Sequence, residues 1–151
     1  MMKKIYVSTL CFRKKNISEI IEIARENNLN IEFSSGLKHN SSNIDFFNQL
    51  KTTSKLIHNY FPAPKDQFVI NLASTNKEIR ELSINHCISN LILSAENNLM
   101  FYSAHAGFCI DPKADKLGGF IQVKKDFNRS EHIDIFINSL NKILDVATSL
   151  K

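Results

Sequence analysis

Short segments rich in β-branched and aromatic residues alternate along this chain with longer amphipathic segments, and that alternation restricts the fold more than any other feature. The strand-like segments cover residues 4–9, 30–34, 55–60 and 100–104. A helix-like segment follows each of them. A strict strand–helix order indicates a parallel sheet joined by crossover helices. The sequence therefore predicts an α/β fold made of four βα units.

The first helix carries the clearest start signal. Asn16 can accept hydrogen bonds from the amides of the first turn, and Glu19 can bond back to the Asn16 amide. Steps of three and four residues place four apolar side chains on one face of this helix, namely Ile17, Ile20, Ile21 and Ala24. We expect this face to pack against the sheet.

The later helices are predicted from similar patterns. Ser42 with Asp45 begins the second helix, and Thr75 with Glu78 forms a capping box that opens the third. The inward candidates of the third helix are Ile79, Leu82, His86, Leu91 and Ala95. The apolar face of the fourth is made by Ile133, Phe136, Ile137, Leu140 and Leu144. Residues 68–73 fit either a short strand or a structured loop.

Composition and motifs exclude several classes of protein. The 151 residues carry a net charge of +4, without the basic stripe and interleaved aromatics that are typical of a nucleic-acid binder. No apolar stretch reaches the roughly 18 residues of a membrane span. The four glycines form no nucleotide-binding loop. The three cysteines form no Cys-x-x-Cys pair, which favours reduced thiols. We expect one cytoplasmic domain over residues 1–151, with no nucleic-acid or membrane partner.

Polar side chains lie where the predicted strands end. They are Ser8, Thr9, Glu32, His58, Asn59 and His105. Because ligands bind where the carboxyl ends of parallel strands meet, we expect these side chains to lie close together. Two imidazoles with carboxylate help suit a divalent ion such as zinc, manganese or iron. The expected cofactor is a divalent metal, Zn²⁺, Mn²⁺ or Mg²⁺. The alternative that His58 and His105 are hydrogen-bonded structural residues stays open.

Several short segments, taken in order, resemble a known family. They are IYVST at 5–9, IEFSSG at 31–36, HNYFP at 58–62, NLAS at 71–74 and SAHAGF at 103–108. This ordered set resembles the N-terminal part of the sugar phosphate isomerase/epimerase family, the xylose-isomerase-like (β/α)8 barrels. The resemblance extends over essentially the whole chain, and the His-x-Gly element after the fourth strand is its most specific piece.

The resemblance implies a metal-assisted proton or hydride shift on a sugar or sugar phosphate. By similarity, Glu32 is the catalytic carboxylate, and His58 and His105 are the metal ligands. Ser8 and Asn59 are the expected substrate contacts at the same edge of the sheet. A full barrel of this kind needs about 250 residues, and the family's main metal ligands lie in its second half.

The chain is therefore expected to form a half-barrel, four of the eight βα units. A product of this kind would be truncated, and it could be inactive alone. Its open inner face predicts association as a homodimer or with a complementing second half-barrel. Two other hypotheses remain, namely a catalytically inactive sugar-binding or assembly module and a small flavodoxin-like domain.

Overall fold

The computed structural model describes residues 4–51, 54–117, 119 and 127–150. Four strands alternate with four helices in the predicted order. The strands are β1 Tyr6–Ser8, β2 Asn30–Phe33, β3 Lys55–His58 and β4 Tyr102–Ser103. The helices are α1 Ile17–Glu26, α2 Ser42–Gln49, α3 Lys77–Glu96 and α4 Arg129–Ser149. Residues 68–73, which the sequence left open between strand and loop, form no strand.

The strands form one parallel sheet in the order β1-β2-β3-β4, which confirms the predicted α/β class with four βα units. Over the described residues this sheet is not closed into a barrel, and it is compatible with half of one. Strictly sequential order also separates it from a flavodoxin-like sheet, in which the first strand lies between the second and third. The flavodoxin-like alternative was therefore wrong in its topology.

The chain divides into two compact units, which we describe separately. The first, here called the sheet unit, comprises residues 1–65 and 93–103 and contains all four strands. The second, here called the loop–helix unit, comprises residues 66–92 and 104–151. Helix α3 begins in the loop–helix unit and ends in the sheet unit.

Helix α1 begins and packs as its sequence predicts. The Asn16 side chain accepts from the Glu19 amide at 3.0 Å, and the Glu19 carboxylate accepts from the Asn16 amide at 2.8 Å. The same bond from the Asn16 amide lowers the pKa of Glu19. The four predicted apolar residues are the buried residues of the helix: Ile17, Ile20, Ile21 and Ala24.

Removing this cap is expected to cost measurable stability. The change Asn16→Ala should lower the free energy of unfolding by about 1 kcal/mol, because it leaves the Glu19 amide without its acceptor. Urea denaturation followed by circular dichroism measures this loss. Asn16→Ser keeps a capping oxygen and should retain most of the stability; equal losses in both variants would show that the cap contributes little.

The core of the sheet unit lies between the sheet and helices α1 and α2. Phe33 of β2, Phe47 of α2 and Phe61 after β3 are fully buried. Their ring centroids are each 5.0 Å apart, in edge-on or tilted arrangements that suit aromatic pairs. Ile31 and Ile57 extend the same cluster along the sheet. This core fixes which face of each strand turns towards the helices.

Lys55 at the start of β3 is a buried cation, 7% exposed, which no sequence pattern indicated. Its ammonium donates to the Phe47 carbonyl at the end of α2 and to Asn97 Oδ1 just after α3, the latter at 2.8 Å. It also lies 3.9 Å from the centroid of the Phe47 ring. Burial, with a smaller contribution from the charge of Lys51, lowers the pKa of Lys55 to about 8.

The predicted start and face of α3 need correction. Asn76, and not Thr75, caps the helix, since its side chain accepts from the amides of Glu78 and Ile79 at 2.9 and 3.4 Å. The predicted inward residue Leu82 is 48% exposed. The buried residues of α3 are instead Ser83, Ile84, Cys87, Asn90, Leu93 and Ser94.

The predicted face of α4 is also wrong. Ile133, Ile137 and Leu144 are about half exposed, whereas His132, Ser139 and Ile143 are buried. The apolar residues of this helix form a broad stripe, so spacing alone could not select which side of the stripe is packed. Within the described ranges, no helix combines the length and apolar character needed to cross a membrane.

Candidate functional site

The register of the sheet places three predicted site residues on the face opposite the helices. Ile31 and Phe33 belong to the core beneath α1 and α2. Because successive side chains of a strand point to opposite faces, Glu32 between them points away from that core. Ser8 pairs with Glu32 in register. His58 follows the core residue Ile57, so it lies on the face of Glu32.

Glu32 and Ser8 lie at the carboxyl edge, where β1 and β2 end. Both side chains are partly exposed. The two strand ends are joined by Thr9, whose hydroxyl accepts from the Ser34 amide at 3.0 Å and donates to the Ser34 carbonyl at 3.3 Å. Ser8 also begins a short 3₁₀ turn, and its hydroxyl accepts from the Leu10 amide at 3.5 Å. The backbone that follows Glu32 is therefore held in place by hydrogen bonds to the residue that follows β1.

His58 is the last residue of β3, and its ring is oriented by the next strand. Nδ1 of His58 lies 2.9 Å from the hydroxyl of Ser103, its register partner on β4. Such a bond through one ring nitrogen sets the direction in which the other nitrogen points, as it does for imidazoles that bind metals or substrates. The orientation of His58 thus depends on Ser103, which the sequence analysis did not single out.

Asn59 is buried at this edge, and its backbone is hydrogen-bonded to β4. It is 4% exposed and adopts a left-handed conformation with φ of 49°. Its amide donates to the Ser103 carbonyl at 2.9 Å, and its carbonyl accepts from the Tyr102 hydroxyl at 3.1 Å. Strand β3 therefore ends just before Asn59, two residues short of the predicted limit, and the role of Asn59 as a substrate contact stays a prediction.

His105 lies in the loop–helix unit, two residues after β4, and is exposed. Ser8, Glu32, His58 and Asn59 all belong to the sheet unit. Among the residues that the structure describes, no three His, Cys, Asp or Glu side chains form a group that could hold a metal ion. The sheet unit offers Glu32 and His58 as two donors, one fewer than the three protein ligands typical of a catalytic zinc site.

The loop that carries His105 is anchored by Asn71, which the sequence analysis also missed as a key residue. Asn71 is fully buried. Its side-chain oxygen accepts from the amides of Phe108 and Ala73 at 2.9 and 3.2 Å. Its side-chain nitrogen donates to the Ile110 carbonyl and the Asp111 carboxylate at 2.8 and 2.7 Å. One amide side chain therefore holds both ends of residues 108–111.

Gly107 makes this anchoring possible. Its φ of 134° lies in a region that residues with a Cβ rarely adopt. A Cβ at this position would overlap Asn71 Oδ1 and lie 3.1 Å from the amide nitrogens of Leu72 and Ala73. The glycine of the His-x-Gly element is thus required by close packing in the loop–helix unit.

His132 in the first turn of α4 is a buried structural histidine. Its Nδ1 donates to the Ala73 carbonyl at 2.6 Å, which fixes the end of the same 71–74 segment that Asn71 holds. The position of the ring, 8% exposed, gives it a packing role inside the loop–helix unit. The sequence carried no signal for this contact, since the two partners are 59 residues apart.

Comparisons with known proteins bear on the fold alone. No family model matches this sequence, and a search of curated proteins gave no match. The TTHB071 protein from Thermus thermophilus, in a structure soaked with ZnCl2, is similar with a TM-score of 0.61 and 13% identity. The match covers 98% of this chain but 53% of the Thermus chain. This chain thus shares its fold of parallel strands and helices with about half of that protein.

Proposed function

We propose that this chain acts on a sugar or sugar phosphate as a sugar phosphate isomerase/epimerase-like protein, by moving a proton next to a carbonyl group. One observation carries the proposal: Ser8, Glu32 and His58 lie on the face opposite the helices, at the carboxyl edge of a parallel sheet. In α/β barrels this edge is where substrates bind and where side chains of separate strands meet.

Glu32 is the proposed proton carrier. Its carboxylate takes the proton from the carbon beside the substrate carbonyl, and the electron pair of that C–H bond moves towards the carbonyl oxygen to give an enediolate. Return of the proton to the former carbonyl carbon, with the hydroxyl proton passing to the former carbonyl oxygen, completes an isomerisation. Protonation of the original carbon on its opposite side completes an epimerisation. Ser8 and His58 are polar groups on the same face that can hold substrate hydroxyls, with Asn59 beside them.

A bound Zn²⁺, Mn²⁺ or Mg²⁺ would polarise the substrate oxygens. In the sheet unit, His58 together with Glu32 would hold such an ion. His105 belongs to the loop–helix unit, and its role as a ligand stays a prediction from the resemblance. The described residues form no group of three donors that could hold a metal ion. The proton transfer is therefore assigned to the Glu32 carboxylate. Zinc is a suitable first probe, since the Thermus structure was soaked with ZnCl2.

Solvent exchange tests the proton transfer directly. The chain is incubated in D₂O with a panel of aldose and ketose phosphates, and loss of the C–H signal beside the carbonyl is followed by proton NMR. We expect Glu32→Gln to slow exchange by more than about tenfold, because the amide cannot accept the proton. The matched control is Glu22→Gln on the exposed face of α1, which should exchange at the original rate.

Binding separates this proposal from the catalytically inactive module. Saturation-transfer NMR with the same sugar phosphates, with and without ZnCl2, reports binding whether or not exchange occurs. Binding that is lost in His58→Ala, without any exchange in the original chain, would favour the inactive sugar-binding module. An absence of both binding and exchange over the whole panel would contradict the proposed substrate class.

The cytoplasm is the compartment that we propose. None of the three cysteines, Cys11, Cys87 and Cys109, is in a disulfide, and reduced thiols persist in a reducing environment.

A further inference from the structure

A cleft in the loop–helix unit is the strongest remaining feature. Its walls are residues 67–69, the first turns of α3 and the loop 111–115, and its volume is about 560 Å³. All of these residues belong to the loop–helix unit. Pockets that bind small molecules commonly have volumes of about 300–1,000 Å³, so the cleft has room for a ligand of that size.

One part of the lining is apolar. It consists of Phe68 and Val69 together with Ile79 and Leu82, which lie three residues apart on α3. Leu82 is the exposed residue that apolar spacing had wrongly placed in the core. The Phe68 ring lies edge-on to the His86 ring, with the ring centroids 5.6 Å apart, and this contact orients it. An apolar ligand group would cover this surface and gain free energy by leaving water.

Two charges of opposite sign line the same cleft. Asp111 and Lys113 both belong to its wall, and neither forms an ion pair with any residue that the structure describes. A third charged residue of the wall, Asp115, lies 3.8 Å from the Lys116 ammonium. Within the described part of the chain, the cleft therefore presents one carboxylate and one ammonium group that have no charged partner.

The carboxylate of Asp111 is held in place from inside the unit. Its Oδ1 accepts from Nδ2 of the buried Asn71 at 2.7 Å. The same nitrogen donates to the Ile110 carbonyl at 2.8 Å, which fixes the backbone next to Asp111. A group that is already ordered loses little side-chain freedom when a ligand binds. Asp111 is thus prepared to pair with a cation.

We propose that this cleft binds a free amino acid with an apolar side chain. The ammonium group of the ligand pairs with Asp111, and its carboxylate pairs with Lys113. Its side chain packs against Phe68, Ile79 and Leu82. A zwitterion matches both charges, whereas a simple amine or a simple carboxylate matches only one of them. The site is built from the loop–helix unit alone and does not use the proposed sugar chemistry, so either proposal can fail alone.

An NMR titration of the full chain with L-phenylalanine tests the site. We expect shifts of the amide signals of residues 67–69, 79–82 and 111–115, which line the cleft. Hydrocinnamate lacks the ammonium group and phenethylamine lacks the carboxylate, so each should bind about three- to tenfold more weakly. An absence of these shifts, or an analogue that binds as tightly as L-phenylalanine, would overturn the proposal.

Substitutions test the two charges. Asp111→Asn removes the charge and keeps an oxygen that can accept from Asn71, and it should weaken L-phenylalanine binding by about three- to tenfold. Lys113→Met should weaken it by a similar factor. Asp134→Asn is the matched control, since it makes the same change at an exposed position of α4, and it should keep the original affinity. Equal affinities of Asp111→Asn and Asp134→Asn would refute the proposed ion pair.

A further substitution tests the apolar contact. Leu82→Ala should weaken L-phenylalanine binding by about fivefold, because it removes apolar surface that the ligand covers. The chain should still fold, since Leu82 is 48% exposed. Ile133→Ala is the matched control, at a half-exposed position of α4. If both variants bound L-phenylalanine equally well, the ligand side chain would not lie on Leu82 and the proposed site would be wrong.

Discussion

Replacing Gly107 with alanine is expected to lower the free energy of unfolding by about 2–4 kcal/mol. The new Cβ would overlap Asn71 Oδ1, which is the acceptor for the amides of Phe108 and Ala73. The backbone at φ of 134° would also be strained for alanine. Relief of the overlap must move the Asn71 side chain, and at least one buried amide then loses its acceptor. Urea denaturation measures the loss.

Gly119→Ala is the matched control. A Cβ at Gly119 would meet the Lys116 carbonyl at 3.6 Å, an ordinary van der Waals distance. We therefore expect a change within about 0.5 kcal/mol, as for most surface substitutions. Similar losses in both variants would contradict the close packing of Gly107 against Asn71. Amide hydrogen exchange gives a second measurement, since the Phe108 amide should lose protection in Gly107→Ala.

The stability of the protein is expected to rise by about 2–3 kcal/mol between pH 8 and pH 10.5 through Lys55. Burial lowers the pKa of this lysine from 10.5 to about 8. Between these two values the unfolded chain holds the proton and the folded chain releases it, so folding becomes more favourable as the pH rises. Below pH 8 Lys55 is protonated in both the folded and the unfolded state, so the cost of burying its charge lowers the stability in full.

Urea denaturation at a series of pH values measures this effect. Lys55→Met removes the titrating group and should remove the rise, while changing the stability at pH 7 through the lost bonds to Phe47 and Asn97. Lys38→Met, at an exposed position, should keep the rise. If the stability of Lys55→Met rose with pH as that of the unaltered protein does, the rise would not come from Lys55, and the prediction would be refuted.

Predictions from the sequence were confirmed where the interacting residues are close together in the chain. The capping box of Asn16 and Glu19 joins two residues three positions apart, and both of its bonds form as predicted. The apolar face of α1 was also predicted correctly, because its four residues follow helical spacing and need only a sheet to pack against. The alternation of strands and helices predicted a parallel sheet, but it left a flavodoxin-like order open, and the structure decided between the two orders.

Prediction failed where a buried polar group has a distant partner. Ser83 on α3 was not expected to be buried, yet its hydroxyl accepts from the Asn71 amide at 2.9 Å and donates to the Ile79 carbonyl at 2.7 Å. His132 is buried for the same reason, through the Ala73 carbonyl. A pattern of apolar spacing treats such residues as exposed, because it contains no information about the partner that offsets their desolvation cost.

For the candidate site, the sequence by itself determined which residue types lie near the strand ends and that Glu32 points away from its apolar neighbours. Only the tertiary structure decided that Ser8 pairs with Glu32, that Ser103 orients His58, and that Asn59 is buried with its backbone bonded to β4. Alternation within a strand is a property of the backbone and can be read locally. Register between strands, and the burial of a single polar side chain, depend on contacts between residues far apart in the chain, which no local pattern contains.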